Sequence, residues 1–143
     1  MNNWILLTYK LPTEPSARRV YVWRKLKQLG AIYIFGAVWV LPENPRTYEQ
    51  FQWLAAEIQE MGGDAIFWKA QVELAGQQES LVDQFQNQVE ENYRALLERM
   101  DHDPVDISAI TQEYQQVLQK DYFQCEVGLQ IRERLLTARE GLQ

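Results

Sequence analysis

In the first half of the chain the apolar residues come in short strand-like runs, and in the second half they recur at helical spacing. Trp4–Tyr9 is apolar on both alternating sets, Ile5, Leu7 and Tyr9 against Trp4, Leu6 and Thr8, which predicts a strand buried on both faces. Lys10–Glu14 forms the loop that follows. Pro15 suits the first turn of a helix, where its missing N–H is one of the unpaired donors anyway. Val22, Trp23, Leu26 and Leu29 make one apolar stripe along that helix. Gly30 lies just past the stripe, where a left-handed closing residue is wanted. Ala31–Phe35 and Ala37–Leu41 are β-branched and aromatic runs, with Gly36 as the bend between them and Pro42 as the stop. Their side chains divide into Ile32, Ile34, Val38 and Val40 against Tyr33, Phe35, Trp39 and Leu41. Asn44-Pro45 starts a second helix. Phe51, Leu54, Ala55, Ile58 and Met61 give its stripe, and Gly62-Gly63 ends it. Asp64–Leu74 is the fourth strand, with Ile66, Trp68, Ala70, Val72 and Leu74 alternating against Phe67, Lys69, Gln71 and Glu73.

The order βαββαβ predicts an α+β protein with a ferredoxin-like core: a four-stranded antiparallel sheet with two helices on one face. From Gln77 the pattern turns helical. Leu81, Phe85, Val89, Tyr93, Leu96, Leu97 and Met100 mark one long helix, which Asp101–Pro104 breaks. Ile107, Ile110, Tyr114, Val117 and Leu118 mark another, and Val127–Arg139 a last one. The expectation is a single domain over residues 1–143, with a core at 1–75 and a helical extension at 76–143. The second face of such a sheet would show Trp4, Leu6, Tyr33, Phe35 and Trp39 or their partners, and a patch of that kind needs a cover. Either the helical extension packs over it or a second subunit does, and a homodimer built in part by the C-terminal helices is the expectation.

Length and composition narrow the class. A chain of 143 residues suits one substantial core, and 46% hydrophobic with 24% charged residues is ordinary for a globular protein. No apolar run approaches the ~20 residues that span a bilayer, and no secretory leader pattern opens the chain. It reads as cytoplasmic, with no membrane partner. A single cysteine, Cys125, leaves no internal disulfide and no cysteine-cluster metal site. The net charge of −6 is unevenly spread: residues 1–30 hold Lys10, Arg18, Arg19, Arg24, Lys25 and Lys27 against Glu14, a net +5, leaving −11 elsewhere. An acidic chain is a poor non-specific binder of nucleic acid, though a local basic helix still suits an anion or an acidic partner. Direct DNA contact would require Arg18, Arg24, Lys25 and Lys27 to be grouped on one exposed face.

The residues PSARRVYVWRKLKQLGA, the hairpin ending VWVLP, the lead-in WILLTYKLP and the later LAAEIQEMGGDA resemble the N-terminal domain of the chromate-resistance regulator (ChrB) family. The resemblance covers roughly residues 3–125. A more distant likeness is to the Cas2-like middle domains of phenylacetate-type repressors. The first resemblance implies a non-enzymatic regulator or accessory protein of chromate resistance, sensing an oxyanion and controlling expression of an exporter. It also implies that a second domain usually follows, so a separately encoded regulator subunit is the expected partner here. The alternative is a structural interaction module that docks such a partner without binding ligand or DNA.

The candidate chemistry is sparse. Cas2-like nucleases resemble one another in an acidic metal ligand at the end of the first strand, where this chain has Thr8-Tyr9-Lys10. His102 lies between Asp101 and Asp103, but adjacent residues rarely point at one ion, and the DHDP run reads as a helix break. Cys125 has no basic neighbour close in sequence and reads as a structural thiol. Neither a catalytic set nor a phosphate-cradling glycine loop is present, so no enzyme, cofactor or metal is expected. Arg19, placed on the stripe one turn before Trp23, has two readings. As a structural residue it would form a buried ion pair with Asp121. As a functional one it would join Arg18, Arg24 and Lys10 in an oxyanion site, since planar guanidinium groups suit chromate or sulfate.

Overall fold

The computed structural model describes residues 3–102 and 105–141, so Asp103 and Pro104 of the expected helix break lie outside it. The chain divides into two compact units, residues 1–78 and 79–143. The first contains β1 (Trp4–Lys10), α1 (Ser16–Leu29), β2 (Ile32–Ile34), β3 (Val38–Pro42), α2 (Pro45–Glu60) and β4 (Asp64–Ala70). The sheet order is β2-β3-β1-β4 with every neighbouring pair antiparallel, which is the ferredoxin-like arrangement. The architecture is α+β, as the strand and helix periods predict.

Register decides what each sheet face carries, because residues directly opposite one another point the same way. Leu7 faces Trp39 on one side and Phe67 on the other, and Trp39 faces Tyr33. Phe51 and Tyr48 of α2 meet the Phe67 ring edge-on at 6.3 and 4.9 Å, so this is the helix-covered face. Tyr33 and Trp39 therefore belong to the helix side, a correction to the expectation that they lie on the open one. The other face carries Leu6, Val40 and Trp68 in register, with Ile66 and Trp68 exposed. Trp4 lies on that face yet is buried, its indole N–H donating to the Gln78 side chain at 2.8 Å. The sequence left the two faces undecided because both are apolar.

The helix ends are fixed locally. α1 and α2 both close through paired bonds to their last carbonyls: Ala31 N–H to Leu26 O with Gly30 N–H to Lys27 O, and Gly63 N–H to Ile58 O with Gly62 N–H to Gln59 O. Gly30 and Gly62 supply the left-handed residue that this closure requires, at φ 79° and 87°. Pro15 stands one position before α1, as its N-cap in extended conformation. The β2–β3 bend has two residues rather than one, Phe35 and Gly36, both at positive φ, closed by Ala37 N–H to Ile34 O at 3.0 Å.

α2 opens with a reciprocal cap. Asn44 accepts from Thr47 N–H at 2.8 Å, and the Thr47 hydroxyl accepts from Asn44 N–H at 2.9 Å while donating to Pro42 O at 2.6 Å. Thr47 is fully buried, so its hydroxyl joins the end of β3 to the start of α2. Thr47→Val is expected to lower stability by about 1–3 kcal/mol, because Pro42 O and Asn44 N–H lose a buried partner. The shift of the urea midpoint measures it, and an unchanged midpoint would show the cap to be dispensable.

The second unit holds most of α3 (Ala75–Met100), with α4 (Ile107–Leu118) and α5 (Glu126–Gly141). Val89, Tyr93, Leu96, Ile110, Tyr114, Val117, Val127, Ile131 and Leu135 form its core. Leu118, counted with its apolar stripe in the sequence, is exposed, and so are Leu129 and Leu136 of α5. Gly128 lets α5 pass against the Tyr93 ring, where a Cβ would lie 2.7 Å from Cε2. The Tyr93 hydroxyl donates to Asp121 Oδ2 at 2.9 Å. Burial, reinforced by that carboxylate, pushes the phenol well above its ordinary 10. The unfolded chain releases this proton near pH 10 and the folded chain keeps it. Stability is thus full below pH 10 and drains away above it. Urea melts between pH 8 and 11.5 are expected to show that alkaline loss, and Tyr93→Phe to flatten it. An equal slope in the variant would assign the loss to the other tyrosines.

A candidate anion-binding groove on the first helix

α1 presents two faces, not one. Val22, Leu26 and Leu29 are buried, a narrow apolar stripe at i, i+4 and i+7. Ser16, Arg19, Val20, Trp23, Arg24 and Lys27 follow their own i, i+3, i+4, i+7, i+8, i+11 track and line a groove of about 950 Å³. Across it stand Leu7 and Tyr9 of β1 and Tyr33, Ala37 and Trp39 of the hairpin, with Leu11 and Thr13 of the β1–α1 loop. All of these belong to the first unit.

The groove is uniformly cationic and donor-rich. Among the described residues no aspartate or glutamate lines it, although the chain carries 20 acidic residues against 14 basic ones. Among the described residues no carboxylate forms a salt bridge with Arg19, Arg24 or Lys27. The first turn of α1 has no acidic residue either, leaving the positive end of the helix dipole unneutralised. Tyr9 lies on the sheet side, where burial pushes its phenol up while the Trp39 side chain, bonded to it, and Arg19 pull it down. The net shift is upward, so at neutral pH Tyr9 presents a neutral hydroxyl. The Lys27 ammonium lies 5.7 Å from the centroid of the Trp23 ring. The Tyr33 ring stacks on Trp39 at 4.8 Å and 25°, and its hydroxyl donates to Gly36 O at 2.7 Å.

Of the four expected oxyanion residues, the structure brings two together, Arg19 and Arg24. Arg18 points elsewhere, donating to Met61 O at 2.7 Å at the end of α2. Lys10 is exposed at the end of β1 and does not line the groove. Lys27, Tyr9, Ser16 and Thr13 line the groove as well, outside the set of four that the sequence proposes. The signal for Ser16 and Lys27 is the helical track from Ser16 to Lys27, which contains three cations and no acid, whereas Tyr9 and Thr13 come from β1 and its following loop and carry no such signal. Arg19 and Trp23 are exposed rather than on a buried stripe, which removes the reason for expecting a buried ion pair at Arg19. Asp121 belongs to the second unit, where it accepts from Tyr93 and from Cys125 N–H at 3.0 Å. His102 is exposed, and Asp101 pairs with Arg134 at 2.8 Å. Among the described residues no three His, Cys, Asp or Glu side chains gather as a metal set, and no helix is long and apolar enough to cross a membrane.

Topology and groove together define a ferredoxin-like α+β domain with a basic, aromatic-lined cleft beside its first helix. The chain belongs to the family described as Protein ChrB, N-terminal, whose model matches residues 19–116. That stretch includes Arg19, Arg24 and Lys27. The chain is also 32% identical over 96 residues to Protein ChrB of Cupriavidus metallidurans, a match covering 67% of this chain and 26% of that protein. The chain thus spans a minor part of the curated relative's length. No solved structure matches it.

Proposed function

We propose that this protein is a non-enzymatic regulator or accessory protein of chromate resistance that senses an oxyanion in the α1 groove and thereby controls exporter expression. One observation carries the reading: three cations and, among the described residues, no carboxylate line the groove, in a chain of net charge −6. A tetrahedral dianion is a donor-hungry ligand, and the groove offers guanidinium, ammonium and hydroxyl donors together. Family membership supports the link to chromate resistance. In cells carrying a reporter behind a chromate-exporter promoter, this chain is expected to change the response to chromate, and its Arg19→Ala form is not. A reporter indifferent to the wild-type chain would remove the reading.

A second reading rests on a different surface. Ile66 and Trp68 are 55% and 47% exposed on the open sheet face, which favours an interaction module that docks a second copy or a separately encoded subunit. Sedimentation of the wild type against Trp68→Lys separates the two. A concentration-dependent oligomer lost in the variant favours docking through this face; two identical monomers remove it as a self-association surface.

A further inference from the structure

The groove is larger than a bare oxyanion needs. At about 950 Å³ it falls at the upper end of the ~300–1,000 Å³ of small-molecule sites, and a four-oxygen ion would fill only the part beside the cations. The remainder is aromatic and pre-shaped. Tyr33 is 51% exposed although one ring face rests on Trp39 and its hydroxyl is tied to Gly36 O, so what remains open is largely its rigid π surface. Trp23, also 51% exposed, lines the groove from α1. A fixed aromatic platform near a cluster of cations is the arrangement that receives a planar ring joined to a phosphate.

We infer that the groove is a nucleotide site, taking a nucleoside phosphate with its phosphoryl group on Arg19, Arg24 and Lys27 and its base stacked on Tyr33. The inference rests on the reading of this groove as an anion site and adds the class of its ligand. It makes chromate a competitor for the phosphate end alone. The ligand is a free nucleotide and not a strand, because the lining supplies three cations, a complement for one phosphoryl group rather than for the successive phosphates of a backbone.

Calorimetric titration of the intact protein with AMP, ribose 5-phosphate, chromate and a thymidine oligonucleotide tests this. AMP is expected to bind ~10-fold or more tightly than ribose 5-phosphate, the stacked base accounting for the gap, and chromate to displace it. Tyr33→Ala is expected to erase the gap while sparing ribose 5-phosphate and chromate, and Tyr33→Phe to restore it. Trp23→Ala, at an exposed position, gives a second route to the aromatic wall should Tyr33→Ala unfold. Equal affinity for AMP and ribose 5-phosphate would overturn the nucleotide site and leave the oxyanion reading standing. No binding of any anion would overturn both. Tighter binding of the oligonucleotide than of AMP would overturn the free-nucleotide assignment.

Discussion

Gly63→Ala is expected to lower the stability of the first unit by about 3 kcal/mol, the upper range for forcing atoms into a packed site. A Cβ at this position would collide with the carbonyl oxygen of Lys10 and lie 2.9 Å from Leu11 Cδ2 and 3.0 Å from Ile58 Cγ2. The first neighbour is backbone and cannot swing away. Lys10 pairs with Asp64 at the end of the β1–β4 ladder, and Gly63 N–H is itself bonded to Ile58 O at 3.0 Å, so relief on one side breaks a bond on the other. Leu11 lines the groove, so distortion there is expected to weaken anion binding as well. Urea denaturation reads the stability change directly. A midpoint equal to that of the wild type would mean this corner yields freely, contrary to its packing.

The second large effect concerns the groove cations. Arg19→Ala and Arg24→Ala are each expected to weaken chromate binding ~10–100-fold, since a hydrogen bond to a charged group is worth about 1.5–3 kcal/mol and each 1.4 kcal/mol is tenfold. Both side chains are exposed, so folding stability should move by no more than ~0.5 kcal/mol. Arg18→Ala is the control. Its guanidinium is held on Met61 O, so its removal should leave affinity unchanged while loosening the α1–α2 contact. Titration of the three variants decides. Loss of binding in Arg18→Ala with retention in Arg19→Ala would place the site where the sequence alone left it open and the groove does not.

Much of the first unit was legible because its signals are local and stringent. Glycine after a stripe, Asn-Pro before one, and alternating apolar runs each have few structural solutions, and they gave the βαββαβ order with boundaries within a few residues. β4 stops at Ala70 rather than Leu74, and Leu74 is exposed. What stayed illegible depends on partners distant in sequence. The strands are apolar on both sides, so only the pairing of Leu7 with Trp39 and Phe67 assigns Tyr33 and Trp39 to the helix side. On α1 the spacing suggests a broad stripe through Trp23 and Arg19, whereas the helix buries only Val22, Leu26 and Leu29 among its side chains. The same ambiguity moved Leu129 and Leu136 to the surface while Val127, Ile131 and Leu135 filled the core. Of the groove's three cations, Arg19 and Arg24 were legible from their place on the first helix, and Lys27 was not. The rest required knowing which side chains of one helix share a face with a neighbouring hairpin.

Whether the α1 groove holds an oxyanion is decided by thermal unfolding with and without chromate. Sulfate at equal ionic strength serves as the matched control, and the Arg19→Ala, Arg24→Ala double variant as the site control. A ligand at 100 times its Kd stabilises a fold by ~2.7 kcal/mol. A rise in Tm of several degrees with chromate is expected, with a smaller rise for sulfate and none in the double variant. An unchanged Tm at saturating chromate, or an equal rise in the double variant, would contradict it.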